Sequence, residues 1–364
     1  MRILRNYVLK EFLSQWLMTL SLFTFILVVG NLIKLADLLL NKGVAPIYVA
    51  QLFVQQLPFL LRYSIPMSLL AGTLLAFGRL ASDNEIVAMR ASGFLLYKLA
   101  LPMIVVGLIF SLFCMILNDH IIPQSHFSSR RLLKELGLRN PTAMLEPGTF
   151  IRSFKGYIVF ISAIEGDTLR NVRIYQPRPT GPARTIIADR GQFVLYPDQN
   201  LIQLQLLDGT TDEPNPKQAG RFYKMYFRKS SLTLDYSDVA ADSRIEKKPK
   251  DMTIRELQLN SRILESEGIP PTPLEIEIHT RVAFSFASLA FVLVALPLAL
   301  WAKRGERSVG LGLSLLVLVL YYLGLAGMSA VAMKEIFPVA PLIWAPNMVL
   351  AGTGILFLFR TIEQ

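Results

Sequence analysis

Five stretches of this chain run for about 20 residues or more without a charged side chain, the length a helix needs to cross a hydrocarbon core. They are Phe12 to Ile33 and the intervals between Lys98 and Asp119, Arg281 and Lys303, Arg307 and Lys334, and Glu335 and Arg360. A sixth, from Pro46 to Gly78, is interrupted by Pro58, Arg62 and Pro66. Its crossing is expected mainly from Tyr63 to Leu80. Ile47 to Leu61 is then an outer extension of the same helix or an interfacial helix, kinked at the prolines. With 52% of its residues hydrophobic and 18% charged, the chain is too apolar for an ordinary soluble protein of its length. Arg2, Arg5 and Lys10 imitate the start of a secretory signal. The apolar run that follows is longer than a signal's and is expected to remain as a helix.

Lys and Arg in short loops set the orientation of such a chain. Arg79, Arg90, Lys98, Lys303, Arg304, Arg307 and Arg360 fall on the same side as the basic N-terminus, so that side is expected to be cytoplasmic. Three crossings then place the polar segment from about Asp119 to His279 outside, in the periplasm of a Gram-negative cell. The expected division is residues 1–118 with three spans and a short cytoplasmic helix at 82–93, residues 119–278 as a periplasmic domain, and residues 279–364 with three more spans.

The polar segment carries β-rich runs at Tyr157 to Ile164, Val172 to Tyr175, Arg184 to Tyr196, Leu201 to Leu207 and Phe222 to Leu234. Turn chemistry separates them at Glu165-Gly166-Asp167, Pro177 to Pro182, Pro197 to Asn200 and Asp208-Gly209. An antiparallel sandwich or open jellyroll fits this pattern. Helices are expected on either flank, at Ser128 to Leu136 and at Thr253 to Glu265, the second opening on a Thr253/Glu256 capping box. Pro270 to Pro273 is expected to prevent helix before the return to the bilayer. The fold class is therefore an α-helical membrane protein with six transmembrane helices and an inserted antiparallel β domain.

Of the formal net charge of +10, the region from Asp119 to Arg281 contributes +3 and the membrane portion +7, so most of the excess lies next to lipid. Lys34, Lys42 and Arg62 fall on the outer side of the first two spans, where orientation does not require them. They are candidates to face an anionic substrate. Snorkelling to headgroups, or a local Lys34 to Asp37 pair, explains the same residues.

None of the 22 glycines is followed by lysine, so a Gly-Lys-Ser/Thr phosphate loop is absent. There is no Gly-x-Ser-x-Gly elbow, no His-Glu-x-x-His among His120, His126 and His279, and a single cysteine, Cys114. No catalytic residue, metal, cofactor or nucleic acid is expected. A nonlocal catalytic pair escapes such a scan, so a membrane-embedded enzyme acting on envelope lipids, or a secondary lipid transporter, stays as the alternative.

Between the second and third spans, Ser82 to Gly93 reads as a short helix with an acidic first turn and a terminal glycine. Ile86, Ala88 and Met89 can lie against a partner or the membrane, and Glu85 is free to accept a basic side chain. This loop is similar to the coupling helix of the lipopolysaccharide-export permeases of the LptF/LptG family, with the pattern Glu85-Ile86-x-x-Met89-x-Ala91-Ser92-Gly93. Tyr7 and Glu11, Pro66 to Gly72, the long insertion and Pro297-Leu298 match in order and spacing over nearly the whole chain.

The resemblance implies the non-catalytic subunit of an ABC transporter. Such a subunit forms a heterodimer with a paralogous permease, LptF or LptG, on an LptB ATPase dimer, and hands lipopolysaccharide to LptC. It implies coupling contacts at Asp83, Glu85, Met89 and Arg90, with Glu85 docked on the ATPase. It also implies a cavity whose lateral gates involve spans one and five, with lipid acyl chains received by the β domain. Lys34 is similar to a substrate-facing LptG position, whereas Ala183 to Asp189 is more similar to LptF, and the balance favours LptF.

Overall fold

The computed structural model describes residues 2–40, 43–93, 95, 97–139, 148, 150–151, 156–166, 168–177, 184–196, 201–214, 222–235, 247–301 and 307–363. Lys42, Ala183, Lys303, Arg304 and most of the turns expected at Pro177 to Pro182 and Pro197 to Asn200 lie outside them. The helices are α1 (Arg2–Leu40), α2 (Pro46–Ser82), α3 (Glu85–Ala91), α4 (Tyr97–Ile116), α5 (Ile122–Arg139), α6 (Ile254–Ser266), α7 (Thr272–Trp301), α8 (Arg307–Ala332) and α9 (Val339–Glu363). Six helical segments are long and apolar enough to cross a membrane: Ile3–Leu40, Pro46–Ser82, Tyr97–Gly137, Thr272–Trp301, Gly310–Ala332 and Val339–Arg360. The chain divides into two compact units. One comprises residues 1–35, 50–129 and 247–364; the other comprises residues 36–49 and 130–246.

Two boundaries differ from the sequence expectation, and at a third one of two expected alternatives holds. α2 is one helix from Pro46 to Ser82 with Pro58 and Pro66 inside it, so the outer segment continues the crossing. α5 is not a separate shoulder, because a π turn at Leu117–Ile121 joins it to α4. α7 begins at Thr272, with Pro273 in its first turn. Proline fits there because the first amides of a helix have no intrahelical acceptor to lose.

In the helical unit, α2 and α7 are the inner helices, with 72% and 78% of their apolar windows buried, against 6% for α1. Small residues permit the closest approaches. A Cβ on Gly72 would sit 2.8 Å from Cα of Trp16, and one on Gly354 would sit 2.6 Å from the backbone of Leu293. Several polar side chains in this core bond from one helix to another. Thr19 donates to the Ser68 carbonyl at 3.1 Å, Asn118 to the Cys114 carbonyl at 2.8 Å and to Ser285 Oγ at 3.0 Å, and Asn347 to the Ala283 carbonyl at 2.5 Å.

Where α4 and α7 emerge, a polar knot fixes the chain's return. Arg281 Nε donates to Glu277 at 2.8 Å, and its two terminal nitrogens reach the carbonyls of Met252 at 2.5 Å, Pro249 at 2.9 Å and Lys250 at 3.3 Å. Asp251, its side chain fully buried, pairs with His126 Nδ1 at 2.5 Å and accepts from the Lys248 amide at 3.0 Å. Asp119 Oδ1 accepts the Ile254 amide at 2.7 Å, and the expected Thr253/Glu256 capping box is present, so the first turn of α6 is capped from two sides.

The second unit contains one antiparallel sheet of sequential strands β1 (Phe150–Ile151), β2 (Ile158–Glu165), β3 (Thr168–Gln176), β4 (Arg184–Tyr196), β5 (Leu201–Pro214) and β6 (Phe222–Asp235). Asp208-Gly209, expected as a turn, lies inside β5. Asp208 has φ 53° and Asn171 in β3 has φ 51°, left-handed values that Asn and Asp tolerate. Register is the same on both sides, since Val172 pairs with Ala188 and Arg170 with Arg190.

These kinks shift the buried phase without a bulge. Burial steps by three residues from Ile161 to Ile164, Leu169 to Val172, Ala188 to Gly191, and Leu206 to Gly209, so one line crosses the sheet. Apolar residues therefore occur at both strand parities although one face is buried. A Cβ on Gly209 would strike the Ile187 carbonyl oxygen and the Phe227 ring, which explains glycine on that line.

Arg281→Ala is expected to lower detergent stability by about 3 kcal/mol, because three carbonyls and Glu277 lose a buried charged donor. Thermal unfolding checks this, and an unchanged midpoint contradicts it. The Lys247 hydrogen bond at 2.6 Å, followed by the Thr253 cap, holds the Glu256 carboxyl below its ordinary value. That stabilisation is fully present above the ordinary glutamate pKa of about 4.3 and is lost as pH falls through the lower native value. Hydrogen exchange of the α6 amides should show the acid-side loss in the native chain and not in Glu256→Gln.

Candidate functional site

The loop that sequence marks for partner contact folds as α3, only two residues after α2 ends. Its start is not capped by a side chain. Asn84 adopts φ 56°, and Asp83 turns back to within 3.7 Å of Arg79 Nε. Gly93, at φ 81°, ends the turn after α3 in a conformation that costs glycine little. Ile86 and Met89 are buried in the same apolar cluster as Val8 and Phe12 of α1, while Val87, Ala88 and Arg90 are exposed. Ile86 and Met89, expected with Ala88 to lie against a partner or the membrane, are thus buried within the chain, and Ala88 faces outward.

Glu85 is not free, contrary to the sequence expectation. Tyr7 Oη donates to its Oε1 at 3.1 Å, and Arg79 Nη2 lies 3.9 Å from the same oxygen. Arg79 also pairs with Glu11 at 2.9 Å and donates to Tyr7 Oη at 3.2 Å, and Gln15 donates to Glu11 at 3.2 Å. Tyr7, Glu11 and Gln15 recur every four residues and so share one face of α1. Sequence reasoning used Tyr7 and Glu11 only as marks of resemblance and Arg79 only for orientation. The four-residue spacing was the available signal.

The three basic residues expected on the outer side fare differently. Lys34 is exposed on α1, and Lys42 lies outside the described residues. Arg62 turns inward: its guanidinium carbon lies 4.9 Å from the Phe284 ring centre and 5.8 Å from that of Tyr63, and its Nε is buried without a hydrogen-bond partner. Tyr63, Phe284, Tyr321 and Tyr322 form a connected ring cluster here, with centroids 5.3 to 6.5 Å apart. A cation against aromatic faces is stabilised without a counter-ion. Among the described residues no group of three His, Cys, Asp or Glu side chains is placed to hold a metal.

A family model for the lipopolysaccharide export system permease LptF/LptG matches residues 6–360. The chain belongs to that family. Among its relatives, the LptF permease of Escherichia coli K12 is 23% identical over 368 residues, covering 99% of this chain and 96% of that protein. The LptG permease of the same strain is 24% identical over 301 residues, covering 81% and 80%. An uncharacterized protein of Rickettsia prowazekii is 25% identical over 205 residues, covering 56% of this chain and 57% of that protein. With its six membrane-length helices, this LptF/LptG member is a multi-pass inner-membrane protein with an inserted β domain. The matched range contains α3, the Arg79 cluster and Arg62.

Proposed function

We propose that this chain is the non-catalytic permease half of an ATP-driven exporter that extracts lipopolysaccharide from the inner membrane and passes it to a periplasmic bridge. The other half is a paralogous permease, the ATPase is an LptB dimer, and LptC receives the lipid. Both termini are cytoplasmic and the β domain is periplasmic, which the Lys and Arg distribution supports. Assignment as the LptF partner is supported by the longer match to the E. coli LptF than to the LptG of the same strain.

The observation that carries this function is α3 itself. A seven-residue helix with two buried apolar anchors and an outward strip of Val87, Ala88 and Arg90 is a rigid knob for another protein to grip. Among the described residues both contacts of Glu85 use Oε1, leaving Oε2 to accept a cation from the ATPase. Asp83, 54% exposed, adds a second carboxylate beside it. Rigid-body motion of α3 driven by ATP would then be passed to the spans.

On the outer side, Lys34 supplies an exposed cation for lipid phosphate. Arg62 supplies one already partly desolvated by aromatic rings, where an anion gains more than in water. Lys42 belongs to the same proposed set by its place in the sequence.

Glu85→Ala is expected to reduce co-purification of the ATPase subunit about tenfold, the effect of losing a charged interface contact. Unchanged assembly and export would remove Glu85 from the docking surface. Lys34→Asp should lower lipopolysaccharide-stimulated ATP hydrolysis about fivefold, in line with about 1 kcal/mol per basic residue near an anionic surface. Wild-type stimulation would instead assign Lys34 to headgroup contact.

A further inference from the structure

We propose that Arg79 and Tyr7 are positioning residues that fasten the coupling helix to α1, so that force applied to α3 reaches the first span directly. This rests on the docking function assigned to α3 and adds the route by which docking is felt.

The route begins with one guanidinium that ties its own helix to two others. Arg79 stands in the last turn of α2 and reaches Glu11 and Tyr7 on α1 and Glu85 on α3. Glu11 is the most enclosed acid of the group, its side chain 13% exposed, and Gln15 supports its Oε1 from the next turn. Tyr7 closes the circuit by donating to Glu85 while accepting from Arg79. A hydroxyl that both gives and takes a hydrogen bond between an acid and a guanidinium has its orientation fixed by both.

The same end of α1 is also held mechanically. Val8 and Phe12 are buried with Ile86 and Met89, and the backbone of Trp16 lies against Gly72, where no larger residue fits. Thr19 adds its hydrogen bond to the Ser68 carbonyl. Beyond Thr19 the helix changes character: Leu22, Phe25, Ile26, Val29, Leu32 and Ile33 are all exposed. α1 is thus clamped at the end that meets α3 and mostly exposed from Leu22 to Ile33.

A helix clamped at one end moves as a lever. The clamp runs from Tyr7 to Thr19 of a 39-residue helix, so any tilt of that end is carried along the roughly 20 Å from Thr19 to Ile33. Because the latch uses Oε1 of Glu85, a cation from the ATPase can take Oε2 with the latch intact. The carboxylate then connects the partner to α1 in one hydrogen-bonded chain.

The test uses the complete complex of both permeases and the ATPase in nanodiscs. In a Cys114→Ala background, spin labels at Phe25→Cys and Leu356→Cys, both exposed, report the position of α1 before and after ATP is added with vanadate. Tyr7→Phe, which removes one oxygen, is expected to retain the ATPase subunit, to shrink the nucleotide-dependent change in distance, and to lower lipid exported per ATP hydrolysed about tenfold. Arg79→Met should do the same more severely, and Arg79→Lys should restore part of the coupling by keeping the charge beside Glu11.

Should Arg79→Met fail to assemble, Tyr7→Phe and Arg79→Lys decide the matter. A full α1 displacement with wild-type export per ATP in Tyr7→Phe and Arg79→Lys overturns the proposal. The docking function fails separately, through retained ATPase in Glu85→Ala, so the two failures are distinguishable.

Discussion

Inside hydrocarbon no water is present to satisfy a backbone amide or carbonyl, and each unpaired group costs several kcal/mol. Everything in the helical unit answers to that constraint. The spans are helices because only a helix satisfies its own backbone. The polar side chains they carry mostly turn back on a carbonyl three or four residues earlier, as Ser68, Thr73, Ser285 and Ser329 do. Those that reach across helices, Thr19, Asn118 and Asn347, mark the contacts where two helices must keep one register. Hydrogen bonds, not greasiness, tell one apolar surface from another.

Charge is concentrated where the constraint relaxes, at the two ends of the helices, and each end has one organising arginine. Arg281 grips backbone carbonyls and so fixes a chain path, whereas Arg79 grips side chains on two other helices, α1 and α3. The difference matters mechanically. A carbonyl cannot leave without unfolding its segment, but a carboxylate can exchange one cation for another. The Arg281 knot suits a permanent joint and the Arg79 cluster a joint that is worked.

Much of this architecture was legible in the sequence, because crossing a membrane demands long uncharged runs and strands demand turn residues between them. The Thr253/Glu256 capping box was legible because capping is local. What escaped was either ambiguous chemistry or distant pairing. Asp208-Gly209 has the residues of a turn, yet the same tolerance of positive φ serves a kink inside a strand, and nothing local separates the two. Glu85 looked free because Tyr7 and Arg79 come from other helices, Tyr7 being 78 residues away. Arg62 looked like an outward cation because its aromatic partner Phe284 is supplied by α7, on the far side of the inserted domain in sequence.

Hydropathy was silent on a further distinction that the function needs. The apolar windows of α1 and α7 have nearly the same mean hydropathy, 2.0 and 2.3, yet 6% of one and 78% of the other is buried. In water that contrast would be impossible to hide, since an unburied apolar helix aggregates. In a bilayer lipid tails solvate Leu as well as another helix does, so apolar content reports residence and says nothing of neighbours. The residues that do report neighbours are small or polar: Gly72 and Thr19 at the clamp of α1, Gly354 and Asn347 along α9 against α7. From Leu22 to Ile33 most of the large apolar side chains of α1 are exposed. A span held at one end by hydrogen bonds and close packing, with largely exposed apolar side chains over the turns that follow, can stay in the membrane and still change its neighbours.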